Sequence, residues 1–229
     1  MVGFSIIIPA CNEERYIIKT LSSISNQSFK DYELIIVCNG CIDNTFQISN
    51  DFLKKSNIKN YKIFNIPQAG VCKAKNFGSR FAKKEYLVFL DSDTYINQKD
   101  FLKKLSKRLD DNVVATVKLK SDSKILDAKI YEVAKNLYTN RLTKGINACL
   151  IISRRKFYKT GLFDGSLKHK EFYHLFKRMK QNKIVFNYKC FKDLSITHSS
   201  RRILQLGIMN IIFFWLIKSF FWNEYRIIR

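Results

Sequence analysis

Two acidic residues, separated by one serine, follow a short apolar run near the middle of the chain. The run covers residues 86–90, and Asp91 and Asp93 come after it. An apolar run bounded by charge indicates a strand buried on both faces, which would place both acids at the carboxyl edge of a sheet, where ligands of open α/β folds bind. There one carboxylate can hold a hard divalent cation while the other accepts hydrogen bonds from ribose or substrate hydroxyls. Because a turn with two solvated acids has the same pattern, the pair indicates a site only together with its neighbours.

Strand-like and helix-like segments alternate along the first half of the chain. The predicted strands are the apolar runs at residues 4–9, 32–37, 61–66 and 86–90. The helices predicted between them, from the spacing of apolar residues, cover residues 13–25, 44–55 and 70–82. This alternation predicts an α/β fold with a mostly parallel, Rossmann-like sheet flanked by helices.

The second half of the chain is predicted to complete the same domain, which would span residues 1–200. The further strands are expected at residues 113–119, 148–152 and 184–187. The further helices are expected at residues 99–109, 121–144, 155–160 and 170–181. Of these, segment 121–144 is interpreted as a helix without a dense apolar stripe.

Polar segments follow three of the predicted strands, and one more opens a helix. Residues 9–14 (Pro-Ala-Cys-Asn-Glu-Glu) follow the first strand, and residues 38–45 (Cys-Asn-Gly-Cys-Ile-Asp-Asn-Thr) follow the second. Asp91-Ser-Asp93 follows the fourth strand, and residues 74–78 (Ala-Lys-Asn-Phe-Gly) open a helix. Over about residues 3–200 this series resembles the inverting family-2 glycosyltransferases of the GT-A fold, and the order of the motifs is far more specific than any single motif.

The resemblance implies a nucleotide-diphosphate sugar as donor and assigns the first motifs to it. Pro9, Ala10 and Glu13 would line the pocket for the base and ribose. Asn39 stands where the family usually has an aspartate that reads the base, and an amide changes the donor and acceptor preference. Lys75 stands where the family favours arginine, so it would meet the diphosphate as a point charge.

The resemblance also implies metal-dependent chemistry at the acidic pair. Asp91 would hold the ribose, and Asp93 would hold Mg²⁺ or Mn²⁺, which neutralises the leaving nucleoside diphosphate. His198 would complete the metal or diphosphate site, and Arg201 and Arg202 suit phosphate oxygens. The alternative for this last segment is a surface loop followed by a basic helix start.

The acceptor side is expected to come from the second half of the chain. Residues 145–154 look like the family's G-x-x-A-x-L strand, which places Ala148 beside the sugar and acceptor. The family then has a Glu-Asp pair whose aspartate deprotonates the acceptor hydroxyl, whereas this chain has Glu171 and Phe172. Glu171 is predicted to act as the base, with His174 as an alternative; a third possibility is a chain without a competent base.

The charge balance indicates a polyanionic partner. The 229 residues carry a formal net charge of +22, which suits nucleic acid, an anionic membrane or phosphorylated substrates. No nucleic-acid-binding motif accompanies the lysines, so nucleic acid is not expected as a partner.

The six cysteines, including the C-x-x-C at residues 38–41, are expected to be free thiols in a reduced compartment rather than metal ligands.

The C-terminal segment, residues 201–229, differs from the rest. Residues 203–222 are apolar and rich in aromatic side chains, with arginines on both sides, and are predicted to form a helix. A helix lying on an anionic membrane is favoured over one packed in a core or oligomer and over one that spans the bilayer. With no signal peptide before the first strand, the protein is expected in the cytoplasm, peripheral at the inner face of the cell membrane, with a glycan or lipid-linked acceptor.

Two functions from other classes stay open on the sequence. A protein on the same scaffold could bind a nucleotide sugar without transferring it, which the phenylalanine at position 172 suggests. A basic nucleic-acid-binding protein would account for the net charge, and for nothing else in the pattern.

Overall fold

The described residues are organised around one mixed sheet. The structure is a computed structural model that describes residues 2–137, 148–167 and 171–207, without the side chains of Arg202 and Leu206. The strands in these ranges are β1 Phe4–Ala10, β2 Tyr32–Asn39, β3 Tyr61–Ile66, β4 Tyr86–Leu90, β5 Thr94–Ile96, β6 Val113–Ser121, β7 Cys149–Ser153 and β8 Asn187–His198. The helices are α1 Ile17–Ser25, α2 Thr45–Lys55, α3 Val71–Ser79, α4 Phe101–Ser106, α5 Leu126–Leu137, α6 Arg154–Lys159, α7 Glu171–Gln181 and α8 Arg201–Leu206.

The order of the strands brings the predicted motifs to one edge. The sheet runs β3-β2-β1-β4-β7-β6-β8-β5. Strands β1 to β4 are parallel, so the segments after β1, β2 and β4 leave the sheet at the same edge. Strand β7 is antiparallel to β4 and pairs Cys149 with Leu90, which sets Ala148 beside Asp91. The α/β fold predicted from the sequence is therefore confirmed, with the antiparallel β7 making the sheet mixed.

Buried aliphatic side chains on both faces hold the helices to the parallel half of the sheet. On one face α1 packs Ile17, Leu21 and Ile24 against β1 and β2. On the other face α3 comes so close that a Cβ on Gly78 would lie 2.8 Å from Ile7 Cγ2. This close contact fixes the height of α3, and with it the position of the lysine that α3 carries.

The last strand of the sheet lies later in the chain than the sequence pattern predicts. The strand predicted at 184–187 is wrong, because the last strand is β8, and the short β5 was not predicted. Charged residues interrupt the apolar pattern of β8, whose first half is only partly buried. Pairing with β6 on one side, and with β5 near its end, makes this polar segment a strand.

Within the predicted segment 121–144, the helix α5 covers Leu126–Leu137, whereas Ser121 ends β6 and residues 138–144 lie outside the described ranges. Leu126, Ile130, Val133 and Leu137 recur at helical spacing on α5, and the buried residue of this helix is Ala128. After α8 the chain reaches Gly207 with a φ of 73°. The predicted helix at 203–222 and the segment 201–229 otherwise lie outside the described residues. Within the described ranges, no helix combines the length and apolarity needed to cross a bilayer.

Candidate active site

A buried lysine is the centre of one charged cluster at the end of β4. The Lys75 side chain is 0% exposed. Its Nζ donates a hydrogen bond to Glu171 Oε1 at 3.0 Å and lies 3.4 Å from Asp91 Oδ1. Burial alone would lower the pKa of this ammonium, but the carboxylates of Asp91 and Glu171 outweigh it and the pKa is raised. Lys75 is therefore held as a cation by two acids from different parts of the chain.

Aromatic rings cover the same ammonium. Lys75 Nζ lies 4.5 Å from the ring centroid of Phe172 and 5.9 Å from that of Phe163. The backbone of Phe163 is fixed by Asn76, whose amide donates to its carbonyl at 2.8 Å and accepts from its N–H at 2.9 Å. Phe172, the residue at the position of the family's usual base, thus packs against the lysine.

Asp91 is positioned by its backbone as well as by Lys75. Its N–H donates to the Ala148 carbonyl at 3.1 Å. Ala148 has a φ of 44°, which is uncommon for a residue other than glycine. Loss of hydration among the surrounding side chains raises the pKa of the Asp91 carboxyl, and the positive charge of Lys75 opposes this rise. Because 35% of its side-chain surface stays accessible, a ligand can reach this carboxylate.

Asp93 belongs to a second cluster, built around Arg201. The Arg201 guanidinium donates to both carboxylate oxygens of Glu13, at 2.8 and 2.5 Å, and lies 3.2 Å from Asp93 Oδ2. Its carbon is 4.6 Å from the ring centroid of Tyr16. The hydrogen bonds to Glu13 raise the pKa of Arg201, against the effect of burial. Arg201 therefore joins the loop after β1 to the acid after β4.

His198 faces the other oxygen of Asp93. The pairing of β5 with β8 sets Thr94 opposite His198, and the His198 Nδ1 atom lies 3.3 Å from Asp93 Oδ1. The angles are unsuited to a hydrogen bond, so this buried nitrogen has no hydrogen-bond partner among the described residues. In the described ranges, no group of three or more His, Cys, Asp or Glu side chains could hold a metal ion.

Hydrogen bonds tie the loops after β1 and β2 together. The Glu13 N–H donates to Thr45 Oγ1 at 2.7 Å, and the Glu14 N–H donates to Asp43 Oδ2 at 3.2 Å. Asp43 also accepts from the hydroxyl and the N–H of Thr45, at 2.5 and 3.0 Å. Burial would raise the pKa of Asp43, but these hydrogen bonds outweigh it and the pKa is lowered. The carboxylate of Glu13 is thus presented by a loop with little freedom to move.

Asn39 joins three of the loops at this edge. It is 3% exposed. With the amide oriented to match its neighbours, its nitrogen donates to the Ala10 carbonyl at 2.9 Å and its oxygen accepts from the Gly70 N–H at 3.0 Å. An aspartate could not make the first of these bonds. Pro9 lies within β1, opposite Val37. The proposed contact of Pro9, Ala10 and Asn39 with a base stays a prediction.

Most of the predicted site residues with described side chains lie in these clusters and loops. Arg202 belongs to α8, but its side chain is outside the description. His174 lies on α7 and makes an edge-on ring contact with Tyr173. The supporting residues that were not predicted are Tyr16, Asp43, Thr45, Asn76 and Phe163. The sequence places these residues inside or next to a motif, but it does not indicate which atoms they contact.

The C-x-x-C at residues 38–41 lies beneath the same loops. Cys38 is buried, which raises the pKa of its thiol to about 12. The Cys41 thiol lies 3.4 Å from the Ala10 carbonyl. All six cysteines, each in the described part of the chain, are free thiols.

Comparisons with known proteins identify the family and the fold. Residues 5–192 match the family model described as glycosyl transferase family 2. The chain belongs to this family. An uncharacterised glycosyltransferase of Haemophilus influenzae is 35% identical over 113 residues, which cover 49% of this chain and 44% of that protein. The poly(ribitol-phosphate) beta-N-acetylglucosaminyltransferase TarS of Staphylococcus aureus is 33% identical over 114 residues, which cover 49% of this chain and 20% of that protein. The chain therefore spans less than half the length of these two relatives.

Solved structures of two glycosyltransferases share the fold. A crystal structure of S. aureus TarS residues 1–349 in complex with UDP-GlcNAc has a TM-score of 0.68 at 23% identity, covering 86% of this chain and 58% of that chain. The mannosyltransferase PcManGT of Pyrobaculum calidifontis, in complex with GDP-Man and Mn²⁺, has a TM-score of 0.70 at 18% identity, covering 86% of this chain and 56% of that chain. The family-2 glycosyltransferase is thus built on the GT-A fold.

Proposed function

We propose that this protein transfers a hexosyl group from a nucleotide-diphosphate sugar to an acceptor hydroxyl, with inversion. The observation that carries the proposal is the pair of charged clusters at Asp91 and Asp93, at the sheet edge where α/β folds bind ligands. Relatives and structural neighbours named for sugar transfer, with UDP-GlcNAc or GDP-Man bound in their structures, support the choice of donor.

In this proposal the loops after β1 and β2 bind the nucleoside, and the lysine binds the diphosphate. Pro9, Ala10, Glu13 and Asn39 border the base and ribose, and Asp91 accepts hydrogen bonds from the ribose. Lys75 offers a permanent positive charge to phosphate oxygens, since its pKa is raised. A diphosphate would compete with Asp91 and Glu171 for this ammonium.

The side chains at Asp93 suit a hard divalent cation. A carboxylate oxygen and a buried imidazole nitrogen without a hydrogen bond lie 3.3 Å apart, at Asp93 and His198. Mg²⁺ and Mn²⁺ accept such ligands together with phosphate oxygens and water. When bound, the cation neutralises the charge that develops on the departing nucleoside diphosphate. Arg201, and Arg202 beside it in sequence, would add positive charge for the same phosphates.

Glu171 is the proposed general base, and Ala148 borders the acceptor. An inverting transfer needs one carboxylate on the face of the sugar opposite the leaving group. Glu171 is the first residue of α7, and it lies near Asp91 because both carboxylates contact the ammonium of Lys75. Glu171 would take the proton of the acceptor hydroxyl as the new glycosidic bond forms. Its basicity depends on Lys75 turning toward the donor phosphates, because an ion pair at 3.0 Å weakens a base.

A family member that binds a nucleotide sugar without transferring it is the second candidate. It is favoured by Phe172, whose ring packs over Lys75 at the position of the usual base. Glu171→Gln separates the two candidates, because it removes the base but keeps a hydrogen-bonding side chain. For a transferase we expect turnover to fall about 100-fold or more while donor affinity stays within about threefold.

The primary experiment measures donor binding and transfer by the full chain. Thermal shift with UDP-, GDP- and dTDP-sugars, with and without Mn²⁺, should identify one preferred nucleotide. Release of the matching nucleoside diphosphate should then depend on an added glycan or lipid-linked acceptor. Titration of Mn²⁺ by electron paramagnetic resonance, with the nucleotide present, should show a site that Asp93→Ala loses. No stabilisation by any nucleotide sugar would reject the proposal.

The acceptor is proposed to be a lipid-linked or cell-surface glycan at an anionic membrane, with the protein peripheral at its cytoplasmic face. The net charge of +22 and the apolar, aromatic sequence of residues 208–222 support this part. Flotation of the full chain with vesicles of phosphatidylcholine or of phosphatidylcholine and phosphatidylglycerol tests it. A protein that stays unbound to both at low salt would remove the membrane from the proposal.

A further inference from the structure

The helix α5 is attached to the sheet by its polar side. Asn136 donates to the Leu119 carbonyl at 2.8 Å and accepts from the Leu119 N–H at 3.0 Å. Glu132 accepts from the Ser121 N–H at 2.9 Å. These side chains pair with the edge of β6 facing away from β8, beyond the short stretch that pairs with β7. Only Ala128 on this helix is fully buried.

The apolar side of α5 consequently faces away from the domain. Its four aliphatic residues fall within a narrow arc of the helix, because they are spaced by four, three and four positions. Leu126 is 71% exposed, Ile130 44%, Val133 57% and Leu137 49%. Amphipathic helices usually bury such a stripe against their own core, whereas α5 presents it outward. We call these four residues the α5 stripe.

Exposed lysines lie at the start of α5 and on the strand that it packs against. Lys124 and Lys129 are exposed at the start of the helix, and Lys118 and Lys120 are exposed on β6 beside it. Of the nearby acids, Glu132 bonds to the strand edge and to Lys129, and Asp122 accepts from the Ser200 N–H, whereas Asp127 lies in the first turn of the helix next to Leu126. An aliphatic stripe on a helix that also presents exposed lysines has the chemistry of a surface that binds anionic lipid headgroups.

The helix that leads into the C-terminal part of the chain, α8, packs against α5. Leu204 of α8 is 55% exposed. The chain continues from α8 into residues 208–222, whose sequence is apolar with two Phe-Trp pairs and a single charged residue, Lys218. The α5 stripe thus adjoins the origin of the segment whose sequence predicts membrane contact.

We propose that the α5 stripe is a membrane-docking surface that inserts into the headgroup boundary of an anionic bilayer, with Lys124 and Lys129 on lipid phosphates. This inference deepens the membrane part of the proposed function and rests on it. Docking through α5 as well as the C-terminal segment would use two separate attachments, which together fix the orientation of the sheet edge relative to the bilayer.

The test compares two valine substitutions with equal changes in size and charge. Val133→Asp puts a carboxylate in the middle of the stripe, and Val185→Asp puts one on another exposed surface, where Val185 is 74% exposed. With the full chain and vesicles containing phosphatidylglycerol, we expect Val133→Asp to weaken binding about tenfold or more. Val185→Asp should bind within about twofold of the wild type. Ile130→Gln serves as a second stripe variant, should Val133→Asp fail to fold.

Donor binding separates failure of this inference from failure of the proposed function. Thermal shift by the preferred nucleotide sugar should be unchanged in all three variants, because the three substituted side chains are exposed and none of them belongs to the charged clusters. Stripe variants that bind vesicles as tightly as the wild type would overturn the docking surface, while leaving the glycosyltransferase and a membrane role of residues 208–222 intact. Sedimentation that shows a dimer broken by Val133→Asp, without loss of vesicle binding, would assign the stripe to a second copy and also overturn it.

Discussion

The surroundings of Asp91 and Asp93 differ although a single residue separates the two acids. Asp91 is paired with a lysine that is fully buried beneath two aromatic rings. Asp93 is paired with an arginine and a histidine, each about a fifth exposed. The cation beside Asp91 is thus part of the folded interior, whereas the two basic side chains beside Asp93 reach the surface, although Asp91 itself is 35% accessible and Asp93 8%.

Because of this difference, removing a charge should reduce the free energy of unfolding by different amounts in the two clusters. Removing a buried charge leaves its partners uncompensated in a poorly solvated place, which costs several kcal/mol. An ion pair whose basic side chain reaches the surface costs less to break, because water can partly replace the lost partner. We therefore expect substitutions at Lys75 to act on stability and substitutions at Asp93 to act on transfer.

The largest effect is expected from Asp93→Ala. If Asp93 holds the cation that neutralises the leaving group, transfer should fall about 1000-fold, equivalent to about 4 kcal/mol in the transition state. The melting temperature should change little, because no buried charge loses its partner. The control is Asp193→Ala, which removes an acid from the exposed pair with Arg108. An Asp93→Ala protein with more than about a tenth of wild-type transfer would contradict the assignment.

A large loss of stability is expected from Lys75→Met. Methionine fills a similar volume beneath Phe172 and Phe163 but leaves Asp91 and Glu171 without their shared cation. The free energy of unfolding, measured with urea near neutral pH, should fall by about 3 kcal/mol. Lys62→Met is the matched control, since Lys62 is partly exposed and lies 3.8 Å from Glu33. Equal effects of the two substitutions would remove the distinction between the two sides of the acidic pair.

The sequence predicted the sheet edge well because parallel strands leave their carboxyl ends at one place. The order of the motifs was enough to group Glu13, Asn39, Lys75 and the acidic pair. It could not identify contacts between distant parts of the chain. Arg201 and Glu13 are 188 positions apart, and Lys75 and Glu171 are 96 positions apart, and only packing of the whole sheet sets these distances.

The helix α5 shows a second limit of the sequence. Its periodicity identifies two faces but not which face turns inward. The usual rule would bury the aliphatic face. Here the unpaired edge of β6 offers backbone groups at Leu119 and Ser121, and Asn136 and Glu132 satisfy them. The orientation thus follows from strand pairing elsewhere in the sheet, which no local pattern records.

A smaller effect on stability is expected from Arg201→Met. Arg201 is about a fifth exposed, but the side chains of its acids Glu13 and Asp93 are only 9% and 8% exposed, so the free energy of unfolding should fall by about 2 kcal/mol, less than for Lys75→Met. The Michaelis constant for the donor should rise about tenfold if Arg201 meets phosphate oxygens. Arg108→Met, at the exposed pair with Asp193, is the control and should change neither quantity. A stability loss as large as that of Lys75→Met would show that both sides of the acidic pair belong to the interior.

At high pH, the stability loss caused by Lys75→Met should become smaller, whereas the loss caused by Arg201→Met should stay the same. The folded-state pKa of Lys75 is raised above its ordinary value of 10.5 by Asp91 and Glu171, against the effect of burial. Its contribution to stability is therefore complete below pH 10.5 and is lost as the pH rises through the folded-state pKa. The hydrogen bonds to Glu13 raise the pKa of Arg201 above its ordinary value, so its pair with Glu13 keeps its charge over the same range. Urea unfolding between about pH 8 and about pH 11.5 should show the gap between wild type and Lys75→Met shrinking, while the gap to Arg201→Met stays constant. A constant gap for Lys75→Met would mean that the carboxylates do not hold the lysine as a cation.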